Sequence, residues 1–389
     1  MNIYLDNSAT TKICPEALRK YVEVSENVYG NPSSLHGMGL NAEKELDLTR
    51  GEILASVKDR TAEVVFTSSG SEANNLAIMG RALSKERYKK GAKIITTDSE
   101  HASVSSTISK LAEMGFEIAR IPTKNGIVDL NALNKEMTSN VILVTVMMVN
   151  NETGALYDIA AISSIMKAKA PDAYLHVDAT QSYLKIPFSM KSLGADMITV
   201  SSHKIEGPKG VGALIVSAAV VKARGLSPII FGGGQEKGLR SGTENVPGIA
   251  AFGEAIRQGL PKISERAEKT ESLRSYLIEK INTDEVLSAI SITNPESHAP
   301  HIINLTLPSI KSETMLHYLS SLGIFVSSGS ACSSNSHSIS SALTAYGRST
   351  AEADSSIRIS FSHRNEFSDV DALADALKSG IKRLARIKR

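Results

Sequence analysis

The chain has 389 residues, of which 42% are hydrophobic and 22% are charged, and its 43 basic and 41 acidic side chains leave a formal net charge of +2. This composition is typical of globular proteins, and it excludes the disordered, collagen-like and disulfide-scaffold classes. So balanced a charge gives no indication of a nucleic acid or a membrane surface as a partner.

The N-terminal sequence and the cysteine content predict a cytoplasmic protein. The first residues lack the basic and apolar regions of an export signal, and no apolar run approaches the roughly 18 residues that a membrane helix needs. Only two cysteines occur, Cys14 and Cys332, which is too few for a four-cysteine metal site. We therefore expect free thiols, no structural metal and no membrane attachment.

Short runs rich in valine and isoleucine alternate with amphipathic stretches through the first two thirds of the chain. Runs of this kind predict buried strands of a mostly parallel sheet. The predicted strands are Glu63–Thr67, Ala92–Thr97, Phe116–Ile121, Val141–Val149, Ala173–Val177, Met197–Val200 and Val211–Val216. The predicted helices between them are Ser71–Leu83, Ala102–Met114 and Ile159–Ala170. The alternation of strand and helix predicts an α/β fold.

The pattern changes after about residue 258. A charged helix is predicted over Pro261–Ile281, and a terminal helix from about Val370. Three short strands are predicted between them, at Ile290–Ile292, Ile302–Leu307 and Ile324–Val326. We predict a large α/β domain over residues 15–258 and a smaller α+β domain made of residues 1–14 and 259–389. Nine serines among the fifteen residues 327–341 predict a mobile loop, and Cys332 lies in it.

Polar residues follow the predicted strands directly. Ser68–Glu72 is a small-residue turn that opens a helix, while His101, Asn151, Asp178 and Lys204 come after four other strands. Ligands of open α/β sheets bind at the carboxyl ends of the strands, and a helix N-terminus suits a phosphate group. A phosphate cradle, a carboxylate and a primary amine at one edge predict a site for pyridoxal phosphate.

Ten stretches of the sequence resemble, in order, the cysteine desulfurases of the nitrogen-fixation and iron–sulfur-cluster type. Among them are YLDNSATT (4–11), TSSGSEANN (67–75), HVDATQS (176–182), SSHKIEGPKGVGAL (201–214) and SSGSACSS (327–334). These enzymes belong to the class V aminotransferase group of fold-type I pyridoxal phosphate enzymes. The resemblance spans nearly the whole chain and implies the same fold, the same cofactor and a homodimer.

The resemblance also implies a role for each candidate residue. Lys204 is implied to form the Schiff base with the cofactor, His101 to stack on its ring and help in proton transfer, and Cys332 to accept sulfur. Asp178 is implied to face the pyridine nitrogen and Gln181 the phenolic oxygen. The other implied groups are the phosphate cradle (Gly70, Ser71, Ser201 and His203), the substrate carboxylate site (Asn151, which is also placed at the cofactor, and Arg358) and a contribution across the dimer interface (Thr243).

The implied reaction removes sulfur from L-cysteine, which leaves L-alanine and a persulfide on Cys332. The sulfur would pass to an acceptor such as an iron–sulfur scaffold protein or a tRNA-thiolation protein, without direct nucleic-acid binding by this chain. A selenocysteine lyase with the same fold and site stays open as an alternative. A simple class V aminotransferase has no need of Cys332, and a non-catalytic binding protein has no need of Lys204, Asp178 and His101 together.

Two positions depart from the family pattern. Glu206 stands where an aromatic residue or histidine is expected, and Ser336 where many relatives carry proline. We expect the Glu206 charge near the rim of the site, where it would affect the approach of partners, and a looser loop at Ser336. The basic residues at 382–389 are most simply a solvated helix end, although they would also suit an acidic partner.

Overall fold

The computed structural model describes residues 2–84, 91–328 and 340–384, so that the prediction for Cys332 lies outside the described residues. The strands of the described residues are β1 (Ile3–Tyr4), β2 (Glu63–Thr67), β3 (Lys93–Thr97), β4 (Glu117–Ile121), β5 (Val141–Met147), β6 (Tyr174–Asp178), β7 (Met197–Ser201), β8 (Gly212–Val216), β9 (Ser291–Thr293), β10 (Ile302–Thr306), β11 (Ile324–Phe325), β12 (Ser327–Ser328) and β13 (Ser356–Ser360). Their α-helices are α1 (Pro15–Asn27), α2 (Gly37–Ser56), α3 (Gly70–Ala82), α4 (Ala102–Glu113), α5 (Leu130–Glu136), α6 (Ile159–Lys169), α7 (Met190–Leu193), α8 (Ala218–Lys222), α9 (Val246–Gly259), α10 (Ile263–Thr283), α11 (Ser312–Ser321), α12 (Ser341–Tyr346), α13 (Thr350–Asp354) and α14 (Phe367–Leu384).

A seven-stranded sheet forms the centre of the large α/β region, in the order β2-β8-β7-β6-β5-β3-β4. Strands β4, β3, β5, β6 and β7 pair in parallel, which confirms the mostly parallel sheet, whereas β8 is antiparallel to both β7 and β2. A parallel neighbour needs a crossover of a dozen or more residues, and only residues 202–211 connect β7 to β8. The seven predicted strands of this sheet are confirmed to within two residues at each end.

A second, antiparallel sheet has the order β12-β13-β10-β9, and the short strand β1 pairs with β11 beside it. The hydrophobic core around this sheet combines Leu5 with residues from Leu273 to Ile381. It is separate from the clusters that cover the two faces of the central sheet. The division into residues 15–258 and residues 1–14 with 259–389 stays a prediction. No helix among the described residues has the length and apolar character needed to cross a membrane.

Glu206 connects the central-sheet region to the C-terminal part of the chain. Its side chain is buried, accepts a hydrogen bond of 2.7 Å from Arg364 Nε, and lies 3.3 Å from Nη1 of Arg266 in α10. The charge is therefore paired inside the molecule rather than presented at the rim, so the expected effect on partner approach is wrong. Two cations from a distant part of the chain account for an acid at this position.

We expect Glu206→Gln to lower the free energy of unfolding by about 1–3 kcal/mol, because it leaves two arginines beside a neutral amide. Urea unfolding at pH 7 measures the loss. Glu366→Gln is the matched control, since Glu366 pairs with Lys269 at 2.9 Å but is 65% exposed in its side chain, and exposed pairs contribute about 0–1 kcal/mol. Equal losses of unfolding free energy in the two variants would contradict a stabilising internal ion pair at Glu206.

Candidate active site

A cavity of about 330 Å³ opens at the carboxyl ends of the central strands. Strands β5, β6 and β7 end there because they are parallel. Strand β2 ends there as well, because β2 and β7 are both antiparallel to β8 and therefore run in the same direction. Ten of the predicted site residues line it: Gly70, Ser71, His101, Asn151, Asp178, Gln181, Ser201, His203, Lys204 and Arg358. The volume lies within the range of small-molecule and cofactor sites.

One end of the cavity is formed by the N-terminus of α3. Ser69 caps this helix by accepting a hydrogen bond from Glu72 N, and Gly70 is its first residue. A Cβ atom at Gly70 would lie 3.1 Å from Thr180 Oγ1 and 3.3 Å from Ser201 Cβ, so a larger residue would narrow the cradle. The buried Ser201 Oγ has no hydrogen-bond partner among the described residues. An anion-favouring helix terminus with an unsatisfied hydroxyl beside it fits a phosphate group.

Asp178 ends β6 and is 6% exposed. Its Oδ2 accepts a hydrogen bond of 2.8 Å from Asn74 Nδ2, and its Oδ1 accepts one of 2.9 Å from the backbone N–H of Thr180. These donors fix the carboxylate at the floor of the cavity, where it fits the protonated nitrogen of a pyridine ring. Sequence reasoning matched the stretch that contains Asn74 but gave this residue no role; only its contact in space reveals it.

Lys204 lies in the turn after β7, and its amine reaches the N-terminal segment of the chain. Nζ donates to the backbone carbonyls of Ser8 (2.5 Å) and Ala9 (2.9 Å). Gln181 Nε2 also donates to the Ser8 carbonyl, at 2.9 Å. The stretch at 4–11 was singled out as a motif without any role for Ser8 or Ala9. Its function in this geometry is to hold the amine and the amide at the mouth of the cavity.

Two histidines, His101 and His203, border the cavity. His101 caps α4, and its Nδ1 accepts a hydrogen bond of 3.1 Å from the backbone N–H of Ser103. In a neutral ring the proton is therefore on Nε2. Burial, followed by the charges of Lys204, Lys209 and Lys185, lowers the pKa of His203 to about 4. His203 is thus neutral at pH 7 and can donate one N–H toward the phosphate end.

Arg358, on β13, is buried beside the loop that follows β5. Its Nη1 donates to the backbone carbonyl of Asn151 and its Nη2 to Asp6 Oδ1, each at 2.8 Å. Its Nε has no hydrogen-bond partner among the described residues. A guanidinium that is held in place and still has an N–H group to donate suits a carboxylate ligand. Asp6 was not predicted as a site residue, because its contact with Arg358 spans 352 positions of sequence.

Thr243 does not join these residues. Thr243 lines a separate pocket of about 110 Å³. Cys332 lies outside the described residues, but the residues on both sides of that gap are close to the cavity. Ser327 of β12 stands opposite Arg358, and Ser340 Oγ donates to Glu152 Oε2 at 2.5 Å, next to Asn151.

Comparison with known proteins identifies related chains. The sequence pattern of the family described as Aminotransferase class-V matches residues 3–373. A putative cysteine desulfurase, IscS 1, of Bacillus subtilis (strain 168) is 38% identical over 385 residues, which are 98% of this chain and 99% of that protein. The solved structure of a NifS-like protein is similar with a TM-score of 0.89 and 33% identity, covering 97% of this chain and 99% of the other. The structure of SspA in complex with cysteine has a TM-score of 0.80 and 30% identity, with 92% and 98% covered.

Proposed function

Because the chain belongs to the class-V aminotransferase family, we propose that the cavity at Lys204 is the active site of a pyridoxal-phosphate-dependent cysteine desulfurase. The observation that carries this assignment is the shared cavity of the Lys204 amine, the Asp178 carboxylate and the N-terminus of α3. These three groups are what the cofactor's aldehyde, pyridine nitrogen and phosphate require. Relatives that match nearly the full length of the chain support the reaction, since that of Bacillus subtilis is named a putative cysteine desulfurase and one of Archaeoglobus fulgidus a cysteine desulfurase.

The chain's own residues would hold the cofactor as follows. Gly70, Ser71, Ser201 and His203 would hold the phosphate, Asp178 would hold the ring nitrogen, and Gln181 would donate to the phenolic oxygen; all six residues line the cavity. When bound, pyridoxal phosphate supplies an aldehyde carbon for amines and a ring that accepts the electrons released at the substrate Cα. Asn74 and the backbone of Thr180 keep the Asp178 side chain in place through their hydrogen bonds.

Lys204 and His101 are the proton-handling residues of the proposal. The Ser8 and Ala9 carbonyls hold the Lys204 amine at the cavity mouth, from which it can bond the cofactor or take a proton from the substrate Cα. His101 presents Nε2 as its proton-bearing nitrogen because Nδ1 accepts from Ser103 N. A group that gives and takes a proton at one fixed atom suits the return of a proton to the product.

Arg358 and Asn151 would bind the carboxylate of L-cysteine. Arg358 is held by Asp6 and by the Asn151 carbonyl, so its plane is fixed before substrate arrives. Fixed donors lose little conformational entropy on binding and therefore orient the substrate efficiently. The similar protein SspA has been solved with cysteine, which supports an amino acid of this size as the ligand.

Cys332 would accept the sulfur. Its thiolate attacks the sulfur of L-cysteine, the substrate Cβ–S bond breaks, and the carbon product takes up protons to become L-alanine while Cys332 keeps the sulfur as a persulfide. Cys332 follows Ser328 by four positions, so chain length alone limits their Cα separation to about 14 Å. Since Ser327 pairs with Arg358, this limit supports access of the thiol to the cavity.

A homodimer with Thr243 reaching the partner's site also belongs to the proposal. Large apolar side chains are exposed at Tyr29 (71%), Leu35 (96%) and Phe231 (81%), in or next to the motif stretches 30–39 and 232–249. Large apolar side chains left exposed within or beside these motifs support an interaction surface there. Thr243 lies outside the cavity of its own chain, as a residue that serves a second subunit would. The sulfur acceptor and the cytoplasmic location stay predictions.

The first experiment compares the cofactor-loaded protein with the cofactor-free protein, using L-cysteine and excess dithiothreitol. We expect equal amounts of alanine and sulfide from the loaded protein and neither from the free protein, because each turnover divides one cysteine between the two products. L-Selenocysteine is assayed in parallel. If only selenocysteine gives product, the selenocysteine lyase alternative replaces the desulfurase assignment. If the loaded protein releases neither alanine nor sulfide from L-cysteine, the desulfurase assignment is contradicted.

A further inference from the structure

A second cavity, of about 60 Å³, adjoins the active-site cavity at Lys204. Lys204 lines both cavities, and in the second it is joined by Lys185, a residue to which the sequence analysis gave no role. His301 also lines this cavity; it is 3% exposed, and neither ring nitrogen has a hydrogen-bond partner among the described residues. The second cavity therefore brings two lysine side chains together beside a buried histidine.

Lys185 is connected to the active site by a chain of hydrogen bonds. Its Nζ donates to Gln181 Oε1 at 3.4 Å, Gln181 Nε2 donates to the Ser8 carbonyl at 2.9 Å, and that carbonyl also accepts from Lys204 Nζ at 2.5 Å. The two ends of the Gln181 amide are thus matched to a donor and an acceptor, which fixes its orientation. Leu184 has a φ of 54°, an uncommon conformation for a bulky residue, and it sets the direction of the chain at Lys185.

The charges around Lys185 come from several elements. Burial, then the charges of Lys204 and Arg358, lowers the pKa of Lys185 to about 7, while Glu206 acts in the opposite direction. The Arg266 charge from α10 is paired with Glu206 at 3.3 Å. The remaining titratable groups of the second cavity are neutral at pH 7, because burial lowers the pKa of His301 and of His363.

We propose that Lys185 is a positioning residue for the desulfurase reaction, one that orients the Gln181 amide toward the cofactor and whose amine takes up the positive charge that Lys204 must give up. Two ammonium groups in one small cavity disfavour each other equally. When the Lys204 nitrogen has lost its proton, its charge no longer opposes that of Lys185, and Lys185 then carries the proton. A charged Lys185 in turn favours a neutral nitrogen on Lys204, the form that removes a proton from the substrate.

The test is a pH titration of the visible absorption band of the cofactor-loaded protein, in the wild type and in two variants. Lys185→Met keeps the length of the side chain but removes its charge and its hydrogen bond. The nitrogen of Lys204 should then hold its proton to higher pH, so the midpoint of the titration rises by about half a pH unit or more. Lys185→Arg keeps the charge, so its midpoint should stay within about 0.2 unit of the wild type. We expect kcat to fall about tenfold in Lys185→Met and less in Lys185→Arg.

Lys191→Met is the matched control, because Lys191 is an exposed lysine six residues further along. Circular dichroism and thermal melting verify that the variants are folded. An unshifted midpoint in Lys185→Met, or the same shift in Lys185→Arg, would overturn the proposal. The inference rests on the proposed function, but the two fail separately: absence of alanine and sulfide from the wild type contradicts the desulfurase activity, whereas the absorption midpoint depends only on the bound cofactor.

Discussion

Cys332→Ser is expected to reduce alanine and sulfide release from L-cysteine by at least about 10³-fold while the visible band of the bound cofactor stays unchanged. Serine cannot form a persulfide, so the substrate sulfur has no acceptor on the enzyme. The residues of the cavity that we propose to hold the cofactor lie elsewhere in the chain, between Gly70 and Lys204, and the substitution leaves them intact. Sulfide and alanine are assayed under multiple turnover, and the absorption band is recorded on the same sample.

The chain contains its own control for this experiment, since its only other cysteine is Cys14. Cys14 is 5% exposed at the start of α1, and burial raises the pKa of its thiol, so it is held in the unreactive protonated form. Cys14→Ser should therefore change kcat by less than about twofold. Full activity in Cys332→Ser, or its loss in Cys14→Ser with the fold preserved, would assign sulfur transfer to another group.

A single turnover separates the chemistry at Cys332 from the later delivery of sulfur. Without a reductant, the wild type should release one alanine per site and retain one reducible sulfur on the protein, because the persulfide then has no acceptor. Cys332→Ser should release no alanine under the same conditions. Alanine release at the wild-type level from this variant would mean that the substrate C–S bond breaks without Cys332.

The sequence was sufficient to predict the central sheet and the residues at its edge. Buried parallel strands such as β5 are continuous apolar runs, and the residues that follow them in sequence, such as Asp178 and Lys204, necessarily reach one edge of the sheet. The direction of β8 was not predicted, because strand direction depends on the length of a connection rather than on the residues of the strand.

Contacts between distant parts of the chain could not be predicted from local patterns. Asp6 reaches Arg358, and Ser8 reaches both Lys204 and Gln181, only because β1 pairs with β11 beside the second sheet. The sequence predicts the Glu206 charge at the rim of the site for the same reason, since its two arginines follow it by 60 and 158 positions. Side chains that hold a catalytic group through space leave no periodic signal in the sequence.

Helices α1, α2 and α9 were also not predicted, and they pack against one another on one face of the large α/β region. In α2 the buried positions include Gly39, Ala42 and Thr49 beside Leu46 and Ile53, so the buried face has no strong apolar stripe. A pattern that relies on large apolar residues at helical spacing misses a helix whose close packing uses small ones. Gly253 of α9 illustrates this, because a Cβ there would lie 2.5 Å from Thr49 Oγ1.

Lys204→Ala should abolish turnover, with a loss of at least about 10³-fold in kcat/KM, because one amine serves both as the bond to the cofactor and as the base at the substrate Cα. The matched control is Lys209→Ala, an exposed lysine five residues along, which should retain activity within about twofold. Residual activity above about 10% of the wild type in Lys204→Ala would contradict the assignment.

The neighbouring amine of Lys185 makes the identity of the bonded lysine a question in its own right, since both side chains line the second cavity. Borohydride reduction of the loaded protein, followed by peptide mapping, decides between them. The label should appear on Lys204, which also lines the cofactor cavity, and it should remain there in Lys185→Met. Label on Lys185 would exchange the roles of the two lysines, and it would also explain any activity that survives in Lys204→Ala.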